Sequence, residues 1–429
     1  MHDSNKLYIG IDIGTSGCRA IAINNDAEPV SEAAVVFDSS CKIDSPKLWW
    51  DSCKAVIHQL SKSIDVAQVH ALAVDATSAT LLLTDNHCQA LGAALMYNDA
   101  SSTLEATEVA KVAPQTSAAH GPNASLAKLL KLQHLHQDAH HAMHQCDWIS
   151  AILTGRCAVS DENNSLKMGY DSENRCWPDW LDRLPVRRDL LPVVVEPGTV
   201  LGIISPAVAS DLGLPNTTEI LAGTTDGVAA FLATGACEIG DAVTSLGSTL
   251  VIKLLSDKPI FAPQFGVYSH RLGDYWLVGG ASNSGGATLL KYFSREQLDE
   301  LTPKLSPDIP TGLSYYPLPD IGERFPVSDI NKHPELTPRP KDDVRFFQAM
   351  IEGMADIEAR AYSLLTELGA PTLKSIRTVG GGSRNKAWET IRQNKLNSVF
   401  KQTKHLQAAY GTALLASGYI NKHFKISYS

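Results

Sequence analysis

The pattern that constrains this chain most is a strand, a tight turn of glycine and hydroxyl residues, and a second strand, and it occurs twice. Leu7 to Ile13 is an apolar, β-rich run that ends in Gly14-Thr15-Ser16-Gly17, after which Cys18 to Ile23 resumes the strand pattern. The same order returns in Ala242-Val243-Thr244-Ser245-Leu246-Gly247-Ser248-Thr249-Leu250-Val251-Ile252. Setting Gly14-Thr15-Ser16 over Gly247-Ser248-Thr249 brings the flanking strands into register at a spacing of 233 residues, too long for a solenoid repeat and suited to two duplicated domains. Hairpins with such tips are common, so the pair alone is weak support. A third glycine turn strengthens it: Val379-Gly380-Gly381-Gly382-Ser383 lies between the strand pattern Ser375 to Val379 and the helix-like Lys386 to Leu396.

A turn of glycine with threonine or serine offers unhindered backbone N–H groups and hydroxyl donors, which together cradle phosphate oxygens without net positive charge. That suits this composition. Lys and Arg number 37 against 46 Asp and Glu, a net charge of -9, which gives no electrostatic reason to expect a nucleic-acid or anionic-membrane partner. An anionic ligand must be held locally. The chain has no G-x-x-x-x-G-K-[ST] and no G-x-G-x-x-G after a strand, so neither the P-loop nor a Rossmann dinucleotide site is the expected solution. At 429 residues with 44% hydrophobic and 19% charged side chains, two or three globular domains are expected. The 8 cysteines are scattered without paired spacing and read as reduced thiols. No apolar run approaches a membrane span, and MHDSNKLYIGIDIG lacks a basic leader, so the expectation is an unexported, cytoplasmic chain.

Between the turns, Ser45-Pro46 opens a helical spacing through Leu48, Trp49, Cys53, Val56, Ile57 and Leu60, and Val69 to Val74 reads as a strand ending at Asp75. Trp49 and Trp50 on that helix are core and surface neighbours before they are a sugar-stacking platform. Ser125 to Leu153 keeps a helical period up to Thr154-Gly155, whereas Asp161 to Pro192 is polar and turn-rich and declares no secondary structure. His134, His136, His140, His141 and His144 crowd the helical stretch, with 136, 140 and 144 at i, i+4 and i+8. That spacing can bind a transition metal, but no carboxylate or cysteine sits at a matching offset, and a solvated helix face is the plainer reading. Pro-rich Thr302 to Pro340 reads as a long surface excursion.

The runs Ile11-Asp12-Ile13-Gly14-Thr15-Ser16, Ala222-Gly223-Thr224-Thr225-Asp226-Gly227, Ser245-Leu246-Gly247-Ser248-Thr249 and Gly380-Gly381-Gly382-Ser383-Arg384-Asn385 resemble, in this order, the motifs of the FGGY carbohydrate kinases. Gly322-Glu323-Arg324-Phe325-Pro326 is similar to that family's G-E-R-x-P loop, and Ala349-Met350-Ile351-Glu352-Gly353 to its A-x-x-E-G helix. Within the family, Val74-Asp75-Ala76-Thr77-Ser78-Ala79-Thr80, Tyr97-Asn98 and Ser125-Leu126-Ala127-Lys128-Leu129 look most like the short D-ribulose kinases of cyanobacteria and plastids. The family's sugar-side W-x-D-x-R is here Tyr97-Asn98-Asp99-Ala100-Ser101, without its Trp and Arg, which speaks against glycerol and larger-sugar binding modes.

The resemblance implies an α/β fold of two RNase H-like domains, of the actin, hexokinase and Hsp70 ATPase superfamily, around a central cleft. The sugar-binding domain is expected over residues 1–235 with a C-terminal helix at about 407–424, and the nucleotide-binding domain over 236–406. It further implies ATP and Mg²⁺ as cofactors, and a sugar as the small-molecule partner; it implies no oligomeric state. Carried over by motif, Asp226 is the catalytic base and Asp12 the carboxylate that faces Mg²⁺ and sugar. Thr15, Ser16, Gly247, Ser248 and Thr249 fall to the ATP phosphates, and Gly380, Gly381, Gly382 and Asn385 to adenosine. Asp75 and Ser78 join Asp12 and Asp226 at the sugar. Local backbone structure alone would also account for these residue types: an N-cap for Asp226 on a helix Gly227 to Thr234, a sheet-edge charge for Asp12, plain turns for the glycines, and an Asx or Ser turn for Asp75 and Ser78. The implied reaction is phosphorylation of a terminal hydroxyl of a ketopentose, D-ribulose first, with D-xylulose or another pentulose or polyol second. A non-catalytic ATP-binding sensor is a third reading, disfavoured by the presence of both Asp12 and Asp226.

Overall fold

The computed structural model describes residues 6–38 and 40–425. The chain divides into two compact units, one holding the described residues up to 233 with 270–274 and those from 407 onward, the other 234–269 with 275–406. In chain order come β1 (Leu7–Ile13), β2 (Gly17–Ile23), β3 (Pro29–Val36), α1 (Pro46–Leu60), β4 (Val69–Ala76), β5 (Leu81–Thr84), α2 (Thr103–Val112), α3 (Ser125–Leu135), β6 (His141–His144), α4 (Gln145–Thr154), β7 (Val159–Asp161), α5 (Glu162–Ser165), β8 (Val193–Val195), β9 (Val200–Ile203), α6 (Pro206–Leu212), β10 (Glu219–Thr225) and α7 (Asp226–Ala233). Then follow β11 (Asp241–Leu246), β12 (Leu250–Ser256), β13 (Tyr268–Leu272), β14 (Tyr275–Ser282), α8 (Gly286–Leu289), α9 (Arg295–Leu301), α10 (Asp343–Glu367), β15 (Ser375–Val379), α11 (Lys386–Leu396), β16 (Val399–Phe400), α12 (Ala408–Ala416) and α13 (Tyr419–His423). Among the described residues, no helix is long and apolar enough to cross a membrane.

The first unit is built on a sheet of order β3-β2-β1-β4-β10-β9. Its left half is a pair of antiparallel hairpins, and its centre is parallel, β1 beside β4 and β4 beside β10. β1 is covered on both faces, by the apolar Leu7, Ile9, Ile11 and Ile13 on one and through Gly10 on the other. Ile9, Ile11 and Ile13 join Trp49, Cys53 and Val56 of α1 and Trp148 and Ile149 of α4 in one core, while Ile21 and Ile23 of β2 pack with Ala409, Tyr410, Ala413 and Leu414 of α12 on the other side. The closeness of α12 depends on small residues. A Cβ on Gly10 would lie 2.1 Å from the Ala409 carbonyl oxygen, and one on Gly411 would lie 1.9 Å from that of Ala229 in α7.

In the second unit β14, β12, β11, β15 and β16 follow one another in a sheet, with β11 and β12 forming the repeat of the β1–β2 hairpin and β15 running parallel to β11. α10 and α11 cover this sheet through Phe346, Phe347, Met350, Met354, Trp388 and Ile391. A bidentate pair between Arg392 and Glu358, at 2.6 and 2.7 Å with both side chains buried, ties the two helices together. Leu305, Tyr315 and Phe325 of the Pro-rich stretch belong to this core, so the largely surface-lying Thr302 to Pro340 is pinned to it at these residues.

Three expectations are corrected. The helical period of Ser125 to Leu153 is broken by β6, because Ala142 and Met143 are taken up as antiparallel partners of Leu83 and Leu82 in β5, and pairing overrides periodicity. The His136, His140 and His144 face therefore does not exist: His136 is the C-cap of α3, and His144 is buried, bonding Asp147 at 3.1 Å and Ser125 at 3.0 Å. Cys88 and Cys157, 69 positions apart, form a disulfide with Cα atoms 5.8 Å apart, so not every cysteine is a thiol. Only the fold brings the loop after β5 to the turn after α4.

Candidate active site

Parallel strands present their carboxyl ends on one side of a sheet, and polar residues placed there meet ligands. In the first unit Asp12 of β1 is the direct ladder partner of Asp75 of β4, Asp75 is the partner of Thr224 of β10, and Asp226 follows β10 by one residue at the start of α7. Three carboxylates that are far apart in sequence are thus neighbours at one sheet end. Asp75 has no exposed surface and Asp12 retains 8%, so both lie under the surface, while Asp226 is half-buried. The Gly227 N–H donates to Asp226 Oδ1 at 2.7 Å, which uses one carboxylate oxygen at the helix start and leaves the group in the first turn of α7.

Concentrating carboxylates in a poorly solvated place favours their neutral forms. Burial, then the charge of Asp226, pushes the Asp12 carboxyl up to about 6, against the pull of Arg19. Asp75 is raised well above the ordinary carboxylate range by burial and then by Asp12. Arg19 lies opposite Asp12 in the β1–β2 ladder with its guanidinium 3.5 Å from Asp12 Oδ2. The Thr412 hydroxyl of α12 donates to Asp75 Oδ2, whereas Asp75 Oδ1 has no hydrogen-bond donor among the described residues. This is a site short of positive charge and of donors. A divalent cation with a preference for hard oxygen ligands fits that donor set, with Asp12 as the carboxylate that would face Mg²⁺.

Thr15 and Ser16 are exposed at the tip of the β1–β2 hairpin, closed by Gly14 N–H to the Gly17 carbonyl at 3.0 Å. Ser78 lies in the loop between β4 and β5, its hydroxyl buried and without a partner among the described residues.

Of the stretches that the resemblance assigns to the nucleotide, Thr15 and Ser16 lie in the first unit, and the two later ones come together in the second. Gly247, Ser248 and Thr249 form the β11–β12 turn, and Gly380 stands directly against it: at φ 85° it has backbone that a side chain disfavours, and a Cβ there would lie 2.7 Å from the Leu246 carbonyl oxygen. Gly381 is open to solvent and a Cβ on Gly382 would meet the Leu246 side chain at 2.7 Å. Asn385 caps α11 through the Trp388 N–H at 3.0 Å, a structural duty that occupies its Oδ1. Sequence reasoning missed the segment Ser284-Gly285-Gly286, which seats the start of α8 on the same turn through Gly286 N–H to the Gly247 carbonyl at 2.9 Å and Ala287 N–H to that of Ser248 at 3.0 Å. Its signal was the Gly pair before a short apolar run. Arg19 was missed because a lone arginine in a strand carries no motif, and Thr412 because it sits in the last tenth of the chain. The G-E-R-x-P loop proves to be a brace: Glu323 is buried and accepts from Ser282 at 2.6 Å, Asn283 N–H at 2.7 Å and Tyr316 at 3.0 Å.

Residues 7–233 match the FGGY family of carbohydrate kinases, N-terminal domain. The xylulose kinase of Escherichia coli (strain K12) is 25% identical over 299 residues, 66% of this chain and 62% of that protein, so the match spans about three fifths of that relative. The xylulose kinase of Bacillus subtilis (strain 168) is 23% identical over 446 positions, covering 96% of this chain and 88% of its own length. Among solved structures, a xyloylose kinase from Brucella ovis superposes with a TM-score of 0.86 at 24% identity, covering 97% of this chain and 91% of that one. A glycerol kinase from Plasmodium falciparum with ADP reaches 0.83 at 16% identity, covering 99% and 91%. The shared architecture is the two-domain α/β arrangement of carbohydrate kinases, within the actin and hexokinase class of ATPase folds. With more than half of its length matched, the chain belongs to the FGGY family of carbohydrate kinases.

Proposed function

We propose that this protein transfers the γ-phosphoryl group of ATP to the terminal hydroxyl of a ketopentose, with D-ribulose as the first candidate and D-ribulose 5-phosphate as its product. The observation that carries the reading is the carboxylate group of Asp12, Asp75 and Asp226 at one sheet end. In phosphoryl transfer a protein mainly positions reactants and neutralises charge, and needs a base within reach of the attacking hydroxyl. Asp226 takes the hydroxyl proton. Asp12 faces Mg²⁺, which when bound offsets the charge on the transferred phosphoryl group, and Asp75 with Ser78 offers acceptor and hydroxyl partners to the sugar. Thr15, Ser16, Gly247, Ser248 and Thr249 take the ATP phosphates, and Gly380, Gly381, Gly382 and Asn385 the adenosine. D-Xylulose is the second reading, supported by the names of the curated relatives. Residues 1–235 with about 407–424 act as the sugar-binding domain and 236–406 as the nucleotide-binding domain, and the place of action is the cytoplasm.

The test is a coupled ADP-release assay over a panel of pentuloses and polyols with the wild type and Asp226→Asn. The amide keeps shape but accepts no proton, so sugar phosphate formation is expected to fall by at least about a thousandfold while ATP affinity changes no more than a few fold. Sugar phosphate formed by the variant at near wild-type rate removes Asp226 from the base role, and no acceptor in the panel removes the ketopentose assignment.

A further inference from the structure

Lys128 of α3 has no exposed surface, and no acidic side chain is within ion-pair distance of it among the described residues. Its ammonium instead donates to two backbone carbonyls, of Ala79 at 2.8 Å and of Met96 at 2.6 Å. Burying an ammonium without a counter-ion is costly, and a leucine or methionine would fill the same space without that cost. Burial accordingly lowers the Lys128 pKa to about 8, with Asp99 pulling the other way. The position needs a cation's hydrogen bonds, and the two carbonyls say what for.

One lies in the loop that carries Ser78, assigned above to the sugar, and the other just before Tyr97-Asn98. Ala79 follows Ser78 in the loop after β4, and it is held at φ 67°, a left-handed conformation that an alanine adopts only when its surroundings impose it. Met96 precedes Tyr97-Asn98, and its carbonyl also closes the turn to Asp99 N–H at 2.9 Å. The two loops are further joined by Tyr97 N–H to the Thr80 hydroxyl at 3.0 Å, and Thr80 by Thr77 to Gln145 of α4 at 2.6 and 2.9 Å. Within this otherwise satisfied network the Ser78 hydroxyl alone of the loop's hydroxyls is buried without a partner. A hydroxyl so placed is open to a partner from outside the loop.

We propose that Lys128 is a positioning residue for sugar recognition: by gripping the Ala79 and Met96 carbonyls on one ammonium it holds the Ser78 loop and the Tyr97-Asn98 segment in the geometry that binds the ketopentose. Lys128 touches no reacting atom and acts through Ser78. The inference rests on the sugar-facing reading of Asp75 and Ser78.

The experiment compares wild type, Lys128→Met, Lys128→Gln, Ser78→Ala and the Lys128→Met/Ser78→Ala double variant in steady-state kinetics with both substrates. Lys128→Met keeps the volume and removes both hydrogen bonds. It is expected to raise the sugar KM by about tenfold or more, with kcat reduced less than about threefold and the ATP KM within about twofold. Lys128→Gln retains one donor group and is expected to lie between, and it carries the test if Lys128→Met does not fold. Because both residues act through one contact, the double variant is expected to match the worse single variant instead of multiplying the two effects. A sugar KM unchanged in Lys128→Met and Lys128→Gln, or kcat and both KM values shifting together, or multiplied effects in the double variant, overturns the positioning role. Those outcomes presuppose a wild type that phosphorylates a pentulose; a wild type that phosphorylates none overturns the functional reading and this role with it.

Discussion

At Asp12 two neighbours of opposite sign act on one carboxylate. Burial and Asp226 raise it to about 6, and Arg19 lowers it. The ionised form is the one that can face a cation, so activity is present above that value and is lost as pH falls through it. Removing the guanidinium removes a lowering influence, and the sign of the change follows. Arg19→Gln is expected to move the acid limb of kcat/KM for the sugar to higher pH by about half a unit, a modest shift because the arginine is partly solvated. A pH profile at several Mg²⁺ concentrations checks it, since the metal favours the ionised carboxylate and pulls the limb the other way. An acid limb that stays in place, or moves to lower pH, shows that Asp12 does not set it.

Among the elements α12 bears most on the site, because its Thr412 reaches Asp75 and its Gly411 lies against α7. Helix propensity and packing make opposite forecasts here, which allows their magnitudes to be compared. Gly to Ala in a helix interior is worth roughly 1 kcal/mol of stabilisation by propensity. A methyl placed 1.9 Å from the Ala229 carbonyl forces α7 and α12 apart, and overpacking of a close-fitted contact costs about 1–3 kcal/mol or more. At 1.9 Å the clash belongs at the upper end of that range and packing wins, so Gly411→Ala is expected to be net destabilising by about 1–2 kcal/mol, read from the urea midpoint at unchanged slope. A midpoint above that of the wild type would mean that α12 stands further from α7 than this contact requires.

For the molecule as a whole, the chain leaves its first unit after residue 233, touches it again at 270–274 and returns to it at 407, where α12 packs on a sheet whose first strand begins at Leu7. α12 covers Ile21 and Ile23, two fully buried side chains of β2. A chain ending at Leu406 is therefore expected to lose hydrogen-exchange protection in β1, β2 and β4 while β11, β12 and β15 keep theirs, and to lose the Thr412 contact to Asp75 together with sugar phosphorylation. Protection of β1 at the wild-type level in that truncation would show the first unit to be complete without its C-terminal return.

The local pattern by itself determined the two hairpins, the third glycine turn, α1, β4 and α11, because each is a short segment whose period and bounding turn residues agree with what its neighbours later require. The carboxylates were singled out by the resemblance of the ordered motifs to the FGGY kinases and not by local pattern, which an N-cap, a sheet-edge charge and an Asx turn also satisfy. Other features were decided only by contacts between distant segments. The β6 interruption arose because Ala142 and Met143 are needed by β5, a demand no window around them contains. The Cys88–Cys157 bond, the core anchoring of Tyr315 and Phe325, and the Thr412 contact to Asp75 across 337 positions have the same origin. Lys128 shows the boundary most plainly: its place on an apolar helical face is legible in the sequence, but what satisfies its charge is a pair of carbonyls from loops 49 and 32 positions away. A side chain's period depends on its near neighbours along the chain, whereas its hydrogen-bond partners depend on which loops the packed sheet carries past it.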